Sequence, residues 1–160
     1  MAAGSSVIGG QASANTLVLD LRGPAPSVSV IQLAPLELAA GSAFEMTMDL
    51  HNATSDNFSS ISLNPLARGD DSENVRLAVD RCSLPWESAG DDDAGGQVFE
   101  CAGAQTSVLS GRSIGHGAAP LVGLAALRTG GTDHLRLRLQ ASPTGPDTVP
   151  TEVELKLLTV

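Results

Sequence analysis

Apolar and polar residues alternate most cleanly in four stretches of the chain. From Ser42 to Asn52, Phe44, Met46, Met48 and Leu50 fall on one side and Glu45, Thr47, Asp49 and His51 on the other, the two-residue period of a strand with one face in a core. Asp133 to Gln140 repeats the pattern with Leu135, Leu137 and Leu139 against His134, Arg136 and Arg138, and Thr151 to Val160 with Val153, Leu155 and Leu157 against Glu152, Glu154 and Lys156. From Asn74, Val75, Leu77 and Val79 lie opposite Arg76, Ala78 and Asp80, and the same parity carries Cys82 to the outward face.

Shorter signals fill the intervals. Ser27 to Leu33 is β-branched and partly alternating, Phe58 to Leu66 offers a strand through Ile61 and Leu63, and Thr106 to Ile114 reads as another. Gly23, Pro24 and Pro26 break the chain before the first of these and Pro35 ends it; Asn64-Pro65 and the polar run Arg68 to Asp71 mark a loop. Gly115 to Gly131 has no decisive period; Leu121, Leu124 and Leu127 fit one helical turn or an ordered loop. The Pro143-Thr-Gly-Pro-Asp147 turn predicts that the last two strands form an antiparallel hairpin, setting Arg136 and Arg138 against Glu152 and Glu154 at about 0.2–1 kcal/mol per pair. Around eight strands with short turns and no long amphipathic helix predict an all-β, two-sheet sandwich.

The front of the chain behaves differently. Met1 to Ser13 is small, polar and Gly-rich with no periodicity, whereas Leu17, Val18, Leu19 and Leu21 make a nearly continuous apolar run from Ala14 to Leu21, the pattern of a strand covered on both faces. The expected division is an N-terminal segment, residues 1–23, and a sandwich domain, residues 24–160. Two readings of the apolar run stay open: residues from about Ser5 to Leu21 are a donor strand for a neighbouring subunit, or the run is the first strand of its own sandwich.

Composition narrows the function classes. At 160 residues the chain fits a single core, built from Leu, Val, Ile and Ala because it has one Trp, three Phe and no Tyr. The net charge of −9, with scattered basic residues, removes the electrostatic footprint of nucleic-acid binding. Met1 to Gly10 lacks the features of a signal peptide and no apolar run is long enough to cross a membrane, so the expectation is a mature, secreted chain without membrane insertion. Cys82 and Cys101, too few for a zinc site and not spaced as Cys-x-x-Cys, favour a disulfide, the alternative being two buried free thiols. It would close a protruding loop with strand-like arms and the acidic tip Asp91, Asp92 and Asp93, with Trp86 as a cap.

Candidate chemistry is sparse. His51, His116 and His134 are isolated, with no His-Glu-x-x-His helix for a zinc protease and no Gly-x-Ser-x-Gly elbow for a serine hydrolase. The expectation is a protein that is not an enzyme and carries no cofactor. Asp91, Asp92 and Asp93, with Glu87, are a weak candidate for calcium, because a consecutive acidic run lacks the spaced ligands of an EF-hand loop.

The blocks Val-Asp-Arg-Cys-Ser-Leu-Pro-Trp at 79–86, Phe-Glu-Cys-Ala-Gly at 99–103, Thr-Ser-Val-Leu-Ser at 106–110 and Leu-Arg-Thr-Gly-Gly-Thr-Asp-His-Leu-Arg-Leu-Arg-Leu at 127–139 resemble, in content and order, the TasA/camelysin family of secreted bacterial proteins, in its GC-rich-genome branch. The resemblance covers roughly residues 40–160. It implies a jelly-roll sandwich, exported and polymerised into extracellular biofilm-matrix fibres, in which one subunit's N-terminal segment adds as a strand to its neighbour's sheet. The partner would be the chain itself, with other matrix components as possible additions. The camelysin name also carries a metalloprotease label, which the missing zinc motif speaks against. A secreted adhesin or carbohydrate-binding module is the alternative reading.

Overall fold

The computed structural model describes residues 16–33, 36–68, 74–91, 97–115 and 117–160. In chain order they form β1 (Thr16–Leu21), β2 (Ser27–Gln32), β3 (Leu36–Ala39), β4 (Ala43–Asn52), β5 (Ile61–Arg68), β6 (Val75–Cys82), β7 (Glu87–Asp91), β8 (Gln97–Glu100), β9 (Gln105–Ser113), β10 (Ala119–Pro120), β11 (Thr132–Ala141) and β12 (Thr148–Thr159). A 3-10 turn spans Ala125–Leu127. The fold is all-β: a jelly-roll-like two-sheet sandwich with a disulfide-closed loop.

The first sheet runs β1-β4-β11-β6-β9 and the second β10-β5-β12-β2, with β3 following β2 along β12. The strong alternation in the sequence places the core. Met48 and Leu50 of β4, Leu135, Leu137 and Leu139 of β11, and Val75, Leu77 and Val79 of β6 are buried from one side; Leu155 and Leu157 of β12, Ile31 of β2 and Leu63 of β5 meet them from the other. Those of β4, β5, β6, β11 and β12 point inward at the parity their sequences predict, whereas in β2 the alternation of Val28 and Val30 is overridden: Ser29 and Ile31 face the core and Val28 is exposed.

Three expectations are corrected. The last two strands do not form a hairpin: β11 pairs β4 and β6 in the first sheet, whereas β12 pairs β5, β2 and β3 in the second. Period-2 patterning fixes which face of a strand is apolar but not which neighbour its edges take, and the loop at 142–147 bridges the sheets instead of reversing within one. Arg136 accordingly meets Asp80, not a β12 glutamate. Secondly, Pro65 sits inside β5 where a loop is expected; the position tolerates proline because its C=O, which accepts from Gly115 N–H, and with it the missing N–H face away from β12, beyond the two residues that β10 pairs. Thirdly, β1 is covered on one face only: Leu19 and Leu21 are buried, but Val18 is 64% exposed.

The two long sides of the sandwich are closed differently. At the β9 side, Gly115 N–H donates to Pro65 O at 3.2 Å, Leu121 N–H to Ile61 O at 2.9 Å and Val122 N–H to Val108 O at 3.4 Å, so the stretch without a clear period is an ordered strap lacing one sheet to the other. At the opposite side, β1 is the last strand of the first sheet, and no described strand pairs with its outer edge.

Candidate functional site: an edge strand and a stapled flap

β1 lies parallel to β4, from Thr16 opposite Thr47 to Leu21 opposite Asn52, in a sheet whose other pairings are antiparallel. Leu19 and Leu21 enter the core and Leu17 packs against it; the Thr16 and Thr47 hydroxyls share a 2.8 Å hydrogen bond, and Ala53 N–H donates to Leu21 O at 2.9 Å. Four of the residues singled out in the sequence, Leu17, Val18, Leu19 and Leu21, thus sit together on one strand paired within the subunit. Along the β4 edge that β1 joins, Ala43 to Met46 have no strand beside them among the described residues.

The disulfide joins Cys82 at the end of β6 to Cys101 just after β8, with a Cα separation of 5.6 Å. The base of its loop lies back on the sheet. β7 and β8 form a two-stranded ribbon whose base is drawn down onto the outer face of the first sheet, so Cys82 points outward as its parity predicts and is nonetheless buried. Trp86, Phe99 and both cysteines make a second small hydrophobic cluster there. An outward face reads as solvated only if nothing folds over it, and the flap is the tertiary feature that overrides the pattern.

Arg136, projecting from the middle of β11, fastens the flap. Its guanidinium donates to Phe99 O at 3.1 Å and to an Asp80 carboxylate oxygen at 2.6 Å, and lies 4.7 Å from the centroid of the Trp86 ring, a cation–π distance. Trp86 Nε1–H donates to His134 O at 3.0 Å, and Phe99 N–H to Glu45 Oε1 at 3.1 Å. Glu45, 8% exposed at its side chain, also lies 3.9 Å from Arg136 and Arg138. Sequence reasoning placed Trp86 over the disulfide; it missed Arg136 and Glu45, whose only signal was charge on an apparently solvated face.

A third missed residue is Asp133. It is fully buried at the core-facing parity of β11, and its carboxylate accepts from Ala125 N–H at 2.8 Å, Ala126 N–H at 2.7 Å and Arg81 Nε at 2.6 Å. Those amides open the 3-10 turn, so Asp133 caps a helical start from a distant strand. Gly131 is needed beside it, because a Cβ there would come within 1.9 Å of Ala125 O. The Gly-Gly-Thr-Asp block is thus a structural joint.

Of the other candidates, His51 shares a 2.7 Å hydrogen bond with Thr132 and His134 one of the same length with Asp49, while His116 lies outside the described residues. Asp91 ends β7; Asp92 and Asp93 lie outside the described residues. Among those described, no group of three His, Cys, Asp or Glu side chains is disposed to hold a metal, and no helix is long and apolar enough to cross a membrane.

No family model and no curated protein matches the chain. Among solved structures, it is similar to the VP2 subviral particle of infectious bursal disease virus, with 14% identity over 84% of this chain and 33% of that one at a TM-score of 0.36. The Gx strain of the same virus gives 14% identity over 84% and 32% at 0.37. The Burkholderia pseudomallei antigen and type I fimbria protein BPSL1626 gives 14% over 78% and 73% at 0.25. The chain spans about a third of the viral chains. Likenesses at such low TM-scores carry no argument about function.

Proposed function

We propose that the chain is a structural subunit of an extracellular filament, of biofilm-matrix or cell-surface type, that assembles head to tail by adding its N-terminal segment as a strand to the sheet of the next copy. The resemblance to the TasA/camelysin family implies this role, and one observation in the fold supports it: the first strand is a parallel edge strand that the disulfide does not cross-link, and no described strand pairs with its outer edge. Main-chain pairing along a sheet edge supplies affinity without any cofactor, and a head-to-tail contact that does not close propagates into a fibre. The Cys82–Cys101 disulfide fits assembly in an oxidising compartment. No catalytic role is assigned to any residue.

Electron microscopy of the purified chain tests the reading directly. The expected result is long unbranched filaments, with a variant lacking residues 1–21 remaining monomeric in sedimentation. A full-length chain that stays monomeric at all concentrations, or filaments that persist after the deletion, defeats it.

A further inference from the structure

We propose that the chain binds a divalent transition cation, copper(II) before zinc(II), on the outer face of its first sheet through the Nε2 atoms of His51 and His134. The two histidines sit on neighbouring strands. In the register of β4 and β11, His134 lies opposite Asp49 and Thr132 opposite His51, so the imidazoles are diagonal neighbours. His134 reaches across to Asp49, its Nδ1 2.7 Å from the carboxylate, and His51 reaches the other way, its Nδ1 2.7 Å from the Thr132 hydroxyl. Both rings therefore lie over the seam between β4 and β11, two residues or about 7 Å apart along it.

Those contacts set the chemistry. A carboxylate only accepts, so the Asp49 contact puts the ring proton of His134 on Nδ1 and leaves Nε2 with its lone pair; the Thr132 hydroxyl can accept from His51 Nδ1 with the same result. An imidazole held through its other nitrogen in this way is the usual support of a metal-ligating histidine. Neither Nε2 has a hydrogen-bond partner among the described residues. The side chains of His134 and Asp49 are 24% and 30% exposed, within reach of ions in solution, and the bond from Trp86 Nε1–H to His134 O steadies that position of β11. Asp20, ion-paired with Arg22, lies opposite His51 on β1, and the chain as a whole carries a charge of −9, which draws cations toward the pair. Tilting about its Nδ1 contact brings each Nε2 toward the other, to share one ion at about 2.0–2.1 Å. No third His, Cys, Asp or Glu among the described residues completes a cage, so water fills the remaining positions. Nitrogen ligands with open positions favour copper(II) over zinc(II). The ligands come from two strands, so the ion ties β4 to β11 and stabilises the folded state that presents them. No hydrolytic step is assigned to it.

Titration of the full-length chain with copper(II) tests the site, read by calorimetry, by the number of coordinated imidazoles in pulsed electron paramagnetic resonance, and by thermal unfolding. Wild type is expected to bind one ion per chain through two imidazoles. Its thermal midpoint should rise by about 5–10 °C at roughly a hundred times Kd. Asp49→Asn should weaken binding roughly tenfold with both imidazoles retained, the signature of a positioning residue. His51→Gln and His134→Gln should each weaken it further and leave a single imidazole, while the metal-free midpoint stays near that of wild type because both side chains are partly in water. His116→Gln serves as the control and should change nothing. A wild type that binds no copper(II), or binds it through one imidazole, overturns the proposal. So does wild-type affinity kept by either the His51 or the His134 variant, or affinity lost in His116→Gln.

Discussion

The flap and β1 are both additions to the same β4-β11-β6 layer, one laid over its outer face and the other along its edge, and they are held by opposite means. The flap is tied covalently through Cys82–Cys101 and pinned by Arg136, Trp86 and Glu45 in a cluster that water barely reaches. β1 contributes two fully buried leucines and one ladder of backbone hydrogen bonds, and exposes Val18 on its other face. A segment fixed by a crosslink and a buried charge network is permanent architecture; one fixed by a single ladder and two buried leucines keeps an outer edge that no described strand pairs. For the proposed filament, the difference favours the edge as the subunit contact and the stapled loop as a buttress.

Replacing Arg136 with methionine is expected to weaken that contrast most. Asp80, 20% exposed, would lose its cation while Glu45 keeps Arg138, so the cost should lie toward the low end of the about 3–5 kcal/mol of a broken buried pair; denaturant unfolding should shift and the β7–β8 amides should exchange faster. A stability change near zero would mean that the flap is held without Arg136. Removing the crosslink with Cys82→Ser and Cys101→Ser should cost about 3 kcal/mol by loop-closure entropy, measured as a drop in thermal midpoint, with filament formation retained if the flap is only a buttress. Leu19→Ala on β1 is expected to cost about 2–3 kcal/mol, toward the low end for a core leucine because an edge strand can settle into the cavity. Its signature is faster exchange in β1 with the flap unaffected, and loosening of the flap as well would show that the two regions are coupled. Smallest is Val18→Thr, expected to stay within about 0.5 kcal/mol for the monomer because the side chain is mostly in water; a larger effect on filament stability than on monomer stability would place β1's outer face in the subunit contact.

The periodic strands were readable from sequence because a half-buried strand carries its burial in every second residue. Leu135, Leu137 and Leu139, or Val153, Leu155 and Leu157, can face inward only one way, and the structure buries all six. The sandwich class and the cysteine pair were legible for the same kind of local reason, the pair because two cysteines without ligand spacing have few other uses.

What the alternation could not carry was partnership. Which strands lie side by side depends on main-chain edges that are chemically alike in every residue, so the sheet change between β11 and β12 left no mark in the sequence. Arg136 and Cys82 read as solvated or outward because period 2 knows only two faces, and the flap that buries the second face arrives from elsewhere in the chain. Asp133 looked like the start of an alternating strand, yet its burial is meaningful only once Ala125 and Ala126 present their amides to it. The sequence alone thus determined which side chains must leave water, through a pattern that each segment carries in itself. The tertiary structure decided which segments cover one another, because hydrogen-bond ladders and buried ion clusters exist only between parts of the chain that folding brings together.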